Sequence, residues 1–227
     1  PTPILKLIDQ LYRSSAAQGG PKTVKLMIDK MMACANLQLG VVDSLLDYNR
    51  VSTGRGATAA REPFRLADTL DEALMCVSHA LPRRSNLLFE ASTSVTDAVC
   101  GEYRGDRRRI VQILINLLSN AFKATSAGVV TATARMCGCD HPPPPAGHDL
   151  VCIEVVDSGC GMSEMLVQKN LSGGPFAGGG DGGGGGGGAI TTTGLGFGIV
   201  RHVVHEILGG HLRVESTIGK GTHMKVA

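Results

Sequence analysis

Between Thr23 and Tyr48, apolar residues recur at Val24, Met27, Ile28, Met31, Met32, Ala35, Leu39, Val42, Leu45 and Leu46. These steps of three and four keep them on one face of a long helix. Upstream, Ile4, Leu5, Leu7, Ile8 and Leu11 make a shorter helical pattern. Gly19-Gly20-Pro21 interrupts it, because two glycines favour a turn and a proline cannot continue a helix. The two segments predict a helical hairpin over residues 1–54. Its apolar stripe is too long for one hairpin to cover, so a second copy of the chain is expected to complete a four-helix bundle.

Gly54, Gly56 and Pro63 mark a change of texture, with residues 55–62 as a linker and a second unit over 63–227. There, strand and helix signals alternate without a regular repeat. Pro63 to Leu66 reads as a short strand, and Asp68 to Leu81 as a helix through Leu70, Ala73, Leu74 and Val77. Asn86 to Ser92 and Thr96 to Tyr103 read as strands around a turn. Asp106 then caps a helix whose apolar positions are Ile110, Val111, Ile113, Leu114, Leu117, Leu118 and Ala121. Gly128 to Met136 and Asp149 to Val156 follow as strands. Ten glycines fill the eleven positions from Gly178 to Gly188, so residues 172–193 predict a mobile loop with little to bury. Gly194 opens an amphipathic helix that runs to Leu208 and ends at Gly209-Gly210. His211 to Ser216 and Thr222 to Ala227 are the last predicted strands.

Composition narrows the field. The chain has 227 residues, 43% of them apolar, enough for a proper core. Its net charge is +2, and the basic residues are scattered apart from Arg107-Arg108-Arg109, which reads as a solvated face. Nucleic acid is therefore not an expected partner. No apolar run reaches the eighteen or so residues that a membrane span requires. The seven cysteines lack framework spacing, which predicts reduced thiols and a cytoplasmic setting. Cys137, Cys139, His141 and His148 share one loop in no standard zinc spacing. His79, His202 and His205 read as surface or packing residues, and Cys160 as a small filler.

Three segments carry chemistry. In Asn116-Leu117-Leu118-Ser119-Asn120-Ala121-Phe122-Lys123, the two asparagines and the lysine share a helical face. An Asn carbonyl is a hard oxygen ligand suited to Mg²⁺, and a lysine one turn on can steady a phosphate. Taken alone, the stripe also fits a polar helix surface. In Val151 to Met162, a buried-looking strand delivers Asp157 to a turn with Gly159 and Gly161, where an acid can accept a hydrogen bond from an exocyclic amine. Gly194-Leu195-Gly196-Phe197-Gly198 precedes a helix, where bare N–H groups favour an anion. Neither a Walker loop nor a Rossmann fingerprint is present.

The order of these segments resembles the GHKL ATPase superfamily, and most closely the two-component sensor histidine kinases. Asn116 to Lys123 resembles their N box, Asp157 to Gly161 their G1 box and Gly194 to Gly198 their G2 box. Gly219-Lys220-Gly221-Thr222 resembles the motif before their last strand, and Pro175-Phe176 a remnant of their F box. The resemblance implies an α/β sandwich of the GHKL type, a mixed sheet under helices. It is preceded by an antiparallel helical hairpin that dimerises into a four-helix bundle. It further implies ATP and Mg²⁺ as cofactors, with Asn120 on the metal, Asn116 nearby and Lys123 on phosphate. Asp157 and Thr222 would read adenine, with Gly159, Gly161, Gly194, Leu195, Gly196, Phe197 and Gly198 lining the nucleotide. Residues 172–193 would be the lid, here stripped of most clamping side chains, with weak affinity as the consequence.

The implied activity is transfer of the γ-phosphoryl group to a histidine of the dimerisation helix, then to an aspartate of a response regulator. Thr2-Pro3 resembles the end of the acceptor box His-Glu-Leu-Arg-Thr-Pro. The acceptor would therefore precede Pro1, and self-phosphorylation by these residues alone is expected to be absent. Any membrane anchor would lie upstream. ATP-hydrolysing relatives, and the serine-directed mitochondrial dehydrogenase kinases, carry a glutamate where Asn116 stands. An asparagine cannot act as a general base, which argues against water or serine as nucleophile. The rival is a non-catalytic regulatory module that dimerises and binds nucleotide weakly or not at all.

Overall fold

The computed structural model describes residues 35, 42, 59–80, 88–96, 101–137, 147–172 and 195–227. Apart from Ala35 and Val42, which are helical, the predicted hairpin of residues 1–54 lies outside the described residues, as do the first half of the 55–62 linker and nearly all of the Gly-rich segment.

The described chain runs through β1 (Glu62–Arg65), α1 (Leu66–Ala80), β2 (Leu88–Val95), β3 (Glu102–Gly105), α2 (Arg107–Ala124), β4 (Ala127–Met136) and β5 (Val151–Asp157). It continues through α3 (Glu164–Ser172), α4 (Leu195–His202), a π-helical turn at Val203–Ile207, β6 (Leu212–Thr217) and β7 (Gly221–Val226). Five strands form one sheet in the order β2-β4-β5-β7-β6; β2 and β4 are parallel and the other neighbours antiparallel. β1 and β3 pair antiparallel as a separate ribbon.

The helices cover one face of the sheet, as strand alternation requires. On β4, Val130, Ala132 and Ala134 are fully buried, whereas Val129 is 45% exposed. Leu70 and Val77 of α1, Leu114, Leu117 and Leu118 of α2, and Val200 and Val203 after it close the core over Val155 and Met224. The opposite face is held by polar pairs. Arg135 donates from Nε and Nη2 to Glu154 Oε1 at 3.0 and 2.7 Å, and His223 Nε2 lies 3.2 Å from Glu154 Oε2.

Most predicted elements stand within a few residues of their expected bounds. Three expectations change. Of the strand expected over Thr96 to Tyr103, residues 97–100 lie outside the described residues; the strand described is Glu102–Gly105, which pairs with β1 through Phe64↔Tyr103. α3 was not anticipated, because its nine residues bury only Val167 and carry little amphipathic signal. Arg107 to Arg109 is not one solvated face. Arg107 pairs with Glu72, and Arg109 is 5% exposed with Nη1 donating to Gln112 Oε1 at 3.0 Å.

The cysteines also depart from the reduced set that their spacing predicts. Cys137 and Cys152 form a disulfide with Cα atoms 5.1 Å apart. The β4–β5 register explains it: Cys152 lies opposite Arg135, and Cys137 donates its N–H to Leu150 at 2.9 Å. The two side chains are diagonal neighbours on the outer face. With Cys137 so bonded, and Cys139 and His141 outside the described residues, no group of metal-binding side chains forms among those described. No helix among the described residues is long and apolar enough to cross a membrane.

Closing a 15-residue separation should contribute about 3 kcal/mol, mainly by restricting the unfolded chain. Reductant is therefore expected to lower the melting temperature by roughly 6–12 °C in a domain of this size. Cys137→Ser should melt at the lower temperature and ignore reductant. Identical melts of the native chain with and without reductant would show that the bond contributes nothing.

Candidate functional site

α2 is the backbone of the site. Its first turn is fixed by Asp106, whose side chain accepts from Arg109 N at 3.1 Å and from Ala60 N at 3.0 Å. This satisfies one of the helix's orphan donors and ties the incoming chain to it. Ile113, Leu114, Leu117, Leu118 and Ala121 are buried against the sheet and α1. The edge left over carries Asn116 and Asn120, both half-buried, and the exposed Lys123.

Asn116 has a set orientation. Its Nδ2 donates to the Gln112 carbonyl at 2.9 Å. That carbonyl can only accept, so the amide NH₂ must point to it and Oδ1 must point away. Gly196, near the start of α4, lies on the Oδ1 side. A Cβ at Gly196 would sit 3.0 Å from Asn116 Oδ1, 3.6 Å from Asn120 Nδ2 and 3.7 Å from Asn120 Oδ1. The third sequence segment thus meets the first: bare backbone of α4 faces two amide side chains of α2. Amide oxygens offer lone pairs suited to a hard divalent cation, and the N–H groups of a helix start suit phosphate oxygens.

Asp157 ends β5 and is 3% exposed. Its Oδ1 accepts from Gly159 N at 2.9 Å, and the Thr222 backbone N–H also donates to it. Burial raises its pKa above the ordinary 3.8, and these two hydrogen bonds oppose the rise without cancelling it. The turn that follows fits only because side chains are missing. A Cβ on Gly159 would lie 2.5 Å from the Ala124 carbonyl oxygen, and one on Gly221 would run into the Asp157 carbonyl. Gly161 adopts φ +64° against Thr217. Cys160 N donates to that same Ala124 carbonyl at 3.1 Å. Directly across the ladder, Thr222 pairs with Asp157 and is 6% exposed.

α2 therefore touches the Gly196 segment at Asn116 and Asn120, and the Asp157 turn at Ala124. Eight residues separate Asn116 from Ala124, about 12 Å at 1.5 Å per residue. Asn116, Asn120 and Gly196 gather on this helix edge and the Asp157–Gly159 turn at its end, with Thr222 across the ladder from Asp157 and Gly161 against Thr217. Phe197 differs from expectation: its side chain belongs to the core, so only its backbone can face a ligand. Gly198 is buried in the same turn. Gly194 and Pro175-Phe176 lie outside the described residues, and Leu195 is described only as helical. Ser216 and Gln112 join the site although no motif points to them. A serine in a strand and a glutamine in a helix carry no distinguishing spacing.

Comparison with known proteins identifies the family. Residues 105–227 match the model of the family described as Histidine kinase-, DNA gyrase B-, and HSP90-like ATPase. A sensor-like histidine kinase of Rhizobium meliloti is 32% identical over 185 residues, which are 81% of this chain and 31% of that protein. Hybrid signal transduction histidine kinase A of Dictyostelium discoideum is 28% identical over 189 residues, 82% of this chain and 8% of its own length. The chain thus spans less than a third of either relative. Among solved structures, full-length ShkA in complex with AMPPNP superposes with a TM-score of 0.59 at 22% identity, covering 90% of this chain and 37% of that one. The nucleotide-free catalytic domain of histidine kinase ThkA gives 0.53 at 23% identity, over 73% of this chain and 93% of that one. At such identities the superpositions speak for the fold, helices over a largely antiparallel sheet. With the family match over more than half its length and the Asn, Asp and Gly segments gathered along α2, the chain belongs to the histidine kinase-, DNA gyrase B- and HSP90-like ATPases, as a catalytic domain of the sensor histidine kinase type.

Proposed function

We propose that this chain binds Mg²⁺-ATP along the α2 edge and, within its full-length protein, transfers the γ-phosphoryl group to a histidine of its own dimerisation helix. The phosphoryl group then passes to an aspartate of a response regulator, and the histidine-bearing helices pair two copies through residues 1–54. The observation that carries this reading is the double contact of α2: amide oxygens against bare backbone at Asn116 and Asn120, and the turn that follows a buried carboxylate at Ala124.

Each residue has a part. The ionised Asp157 accepts a hydrogen bond from the adenine amine, and Thr222 stands beside it. Asn120 and the outward-turned Asn116 Oδ1 offer oxygens to the cation, whose charge would neutralise the phosphates. Lys123 reaches toward phosphate as a point charge. The chain's task in phosphoryl transfer is positioning and charge neutralisation rather than covalent chemistry. Asn116 has no basic site with which to activate water or a serine hydroxyl, whereas an imidazole nitrogen is already a nucleophile.

Three outcomes test this. Asn120→Ala is expected to remove at least tenfold of the gain in ATP affinity that Mg²⁺ brings, read by calorimetry with and without the metal. In the full-length protein it should also abolish acid-labile, alkali-stable phosphate incorporation. Phosphate release to water without protein labelling would sink the histidine reading.

Asp157→Asn should weaken ADP binding at least tenfold even without metal, yet leave the unliganded chain as stable or more stable at pH 7. The sign follows from linkage. A carboxyl with a raised folded pKa contributes its stability below 3.8 and loses it as pH rises through the folded value, because the native state is the one that holds the proton in that window. Urea titrations across acid to neutral pH should show this fall in the native chain and not in Asp157→Asn. Unchanged ADP affinity in the variant would remove Asp157 from the site.

A further inference from the structure

Ser216 lies on the core-facing side of β6 and belongs to none of the sequence segments that define the site. Its hydroxyl meets three polar groups. Met162 N–H donates to it at 2.8 Å, it donates to the Gly221 carbonyl at 3.0 Å, and Thr222 Oγ1 lies 2.9 Å away. A serine hydroxyl has one proton and two lone pairs. The Gly221 carbonyl can only accept, so the proton goes there, while Met162 N–H takes one lone pair. All three contacts are made together only if the Thr222 hydroxyl donates into the other.

The consequence falls on Thr222. With its proton directed at Ser216, its oxygen has only lone pairs left for anything else that approaches. Asp157, its cross-strand neighbour, is also an acceptor when ionised, and the backbone N–H groups of Gly159 and Thr222 are already engaged by that carboxylate. The polar edge at this end of the site therefore offers acceptors from both side chains. Ser216 also holds the turn after Asp157, since Met162 follows Gly161 directly.

We propose that Ser216 is a positioning residue that sets base specificity: by fixing the Thr222 hydroxyl as an acceptor, it makes the site favour a 6-amino purine over a 6-oxo purine. This rests on the nucleotide reading above and adds to it which residue enforces the choice. Without Ser216, the Thr222 hydroxyl is free to rotate and donate, so a 6-oxo group gains a partner it previously lacked.

The test measures dissociation constants for ADP and inosine diphosphate. The native chain is expected to prefer ADP, and Ser216→Ala to reduce that preference about tenfold, the worth of roughly one hydrogen bond. Ser216→Thr, which keeps the hydroxyl, should restore it. In a Thr222→Val background Ser216→Ala should bring no further change, because the effect acts through Thr222; a general loosening of the fold would still act there. If Ser216→Ala does not fold by circular dichroism, Ser216→Cys against Ser216→Thr makes the same comparison at similar volume. An unaltered ADP preference in a folded Ser216→Ala or Ser216→Cys overturns the proposal, as does a full effect in the Thr222→Val background. A native chain that binds ADP with no preference over inosine diphosphate overturns it too. A native chain that binds neither nucleotide overturns the nucleotide reading itself, and this proposal with it.

Discussion

Three stretches of backbone converge on the end of β5, and there is no room between them for a side chain. The Ala124 carbonyl at the end of α2 faces Gly159 and accepts from Cys160 N. The Asp157 carbonyl faces Gly221 at the start of β7, and Thr217 at the end of β6 faces Gly161. Because the contacts are backbone to backbone, no rotamer change can relieve a methyl group placed there. This convergence locks the end of the helix that carries Asn116 and Asn120 to the strand that carries Asp157. It also fixes Thr222 opposite that acid, since Gly221 must pass the Asp157 carbonyl before the ladder begins.

The sheet supplies the rigidity this junction needs by keeping its two faces chemically distinct. One face is apolar and covered by α1, α2 and α4. The other is solvent-facing and bound laterally through Arg135, Glu154 and His223, with the Cys137–Cys152 bond across β4 and β5. β5 lies centrally, with β4 on one side and β7 on the other, so its end is supported from both sides. Asp157, placed there, is held by main-chain hydrogen bonds from Gly159 and Thr222 rather than by a flexible loop.

What the sequence made legible follows the same physics. The Asp106-capped helix was readable because cap, period and length agree, and the Asn and Gly segments because their order is specific. Harder to read were features that depend on which strand lies beside which. The β1–β3 ribbon, the disulfide and the Ser216 contacts all arise from cross-strand register, which hydrophobic alternation does not encode. Arg109 escaped for another reason. Three consecutive arginines look equivalent in sequence, but successive helical positions point 100° apart, and only the third turns inward, toward Gln112.

The chemistry of Asp157 then follows from its position. Burial disfavours its charge, and two backbone donors only partly offset that cost. An acceptor-rich, desolvated edge of this kind leaves the unliganded fold less stable than it could be, and the deficit is greatest at neutral pH, where the carboxyl is ionised. A ligand with hydrogen-bond donors relieves the deficit and one with acceptors deepens it, so on the proposed reading the same burial that weakens the apo chain would sharpen discrimination between bases. On the proposed reading, the glycines that let three backbones meet, the buried acid they enclose and the serine that orients Thr222 act together. They hold a set of acceptors out of water at fixed positions, so that recognition does not depend on the many-glycine segment between α3 and α4 to supply side chains.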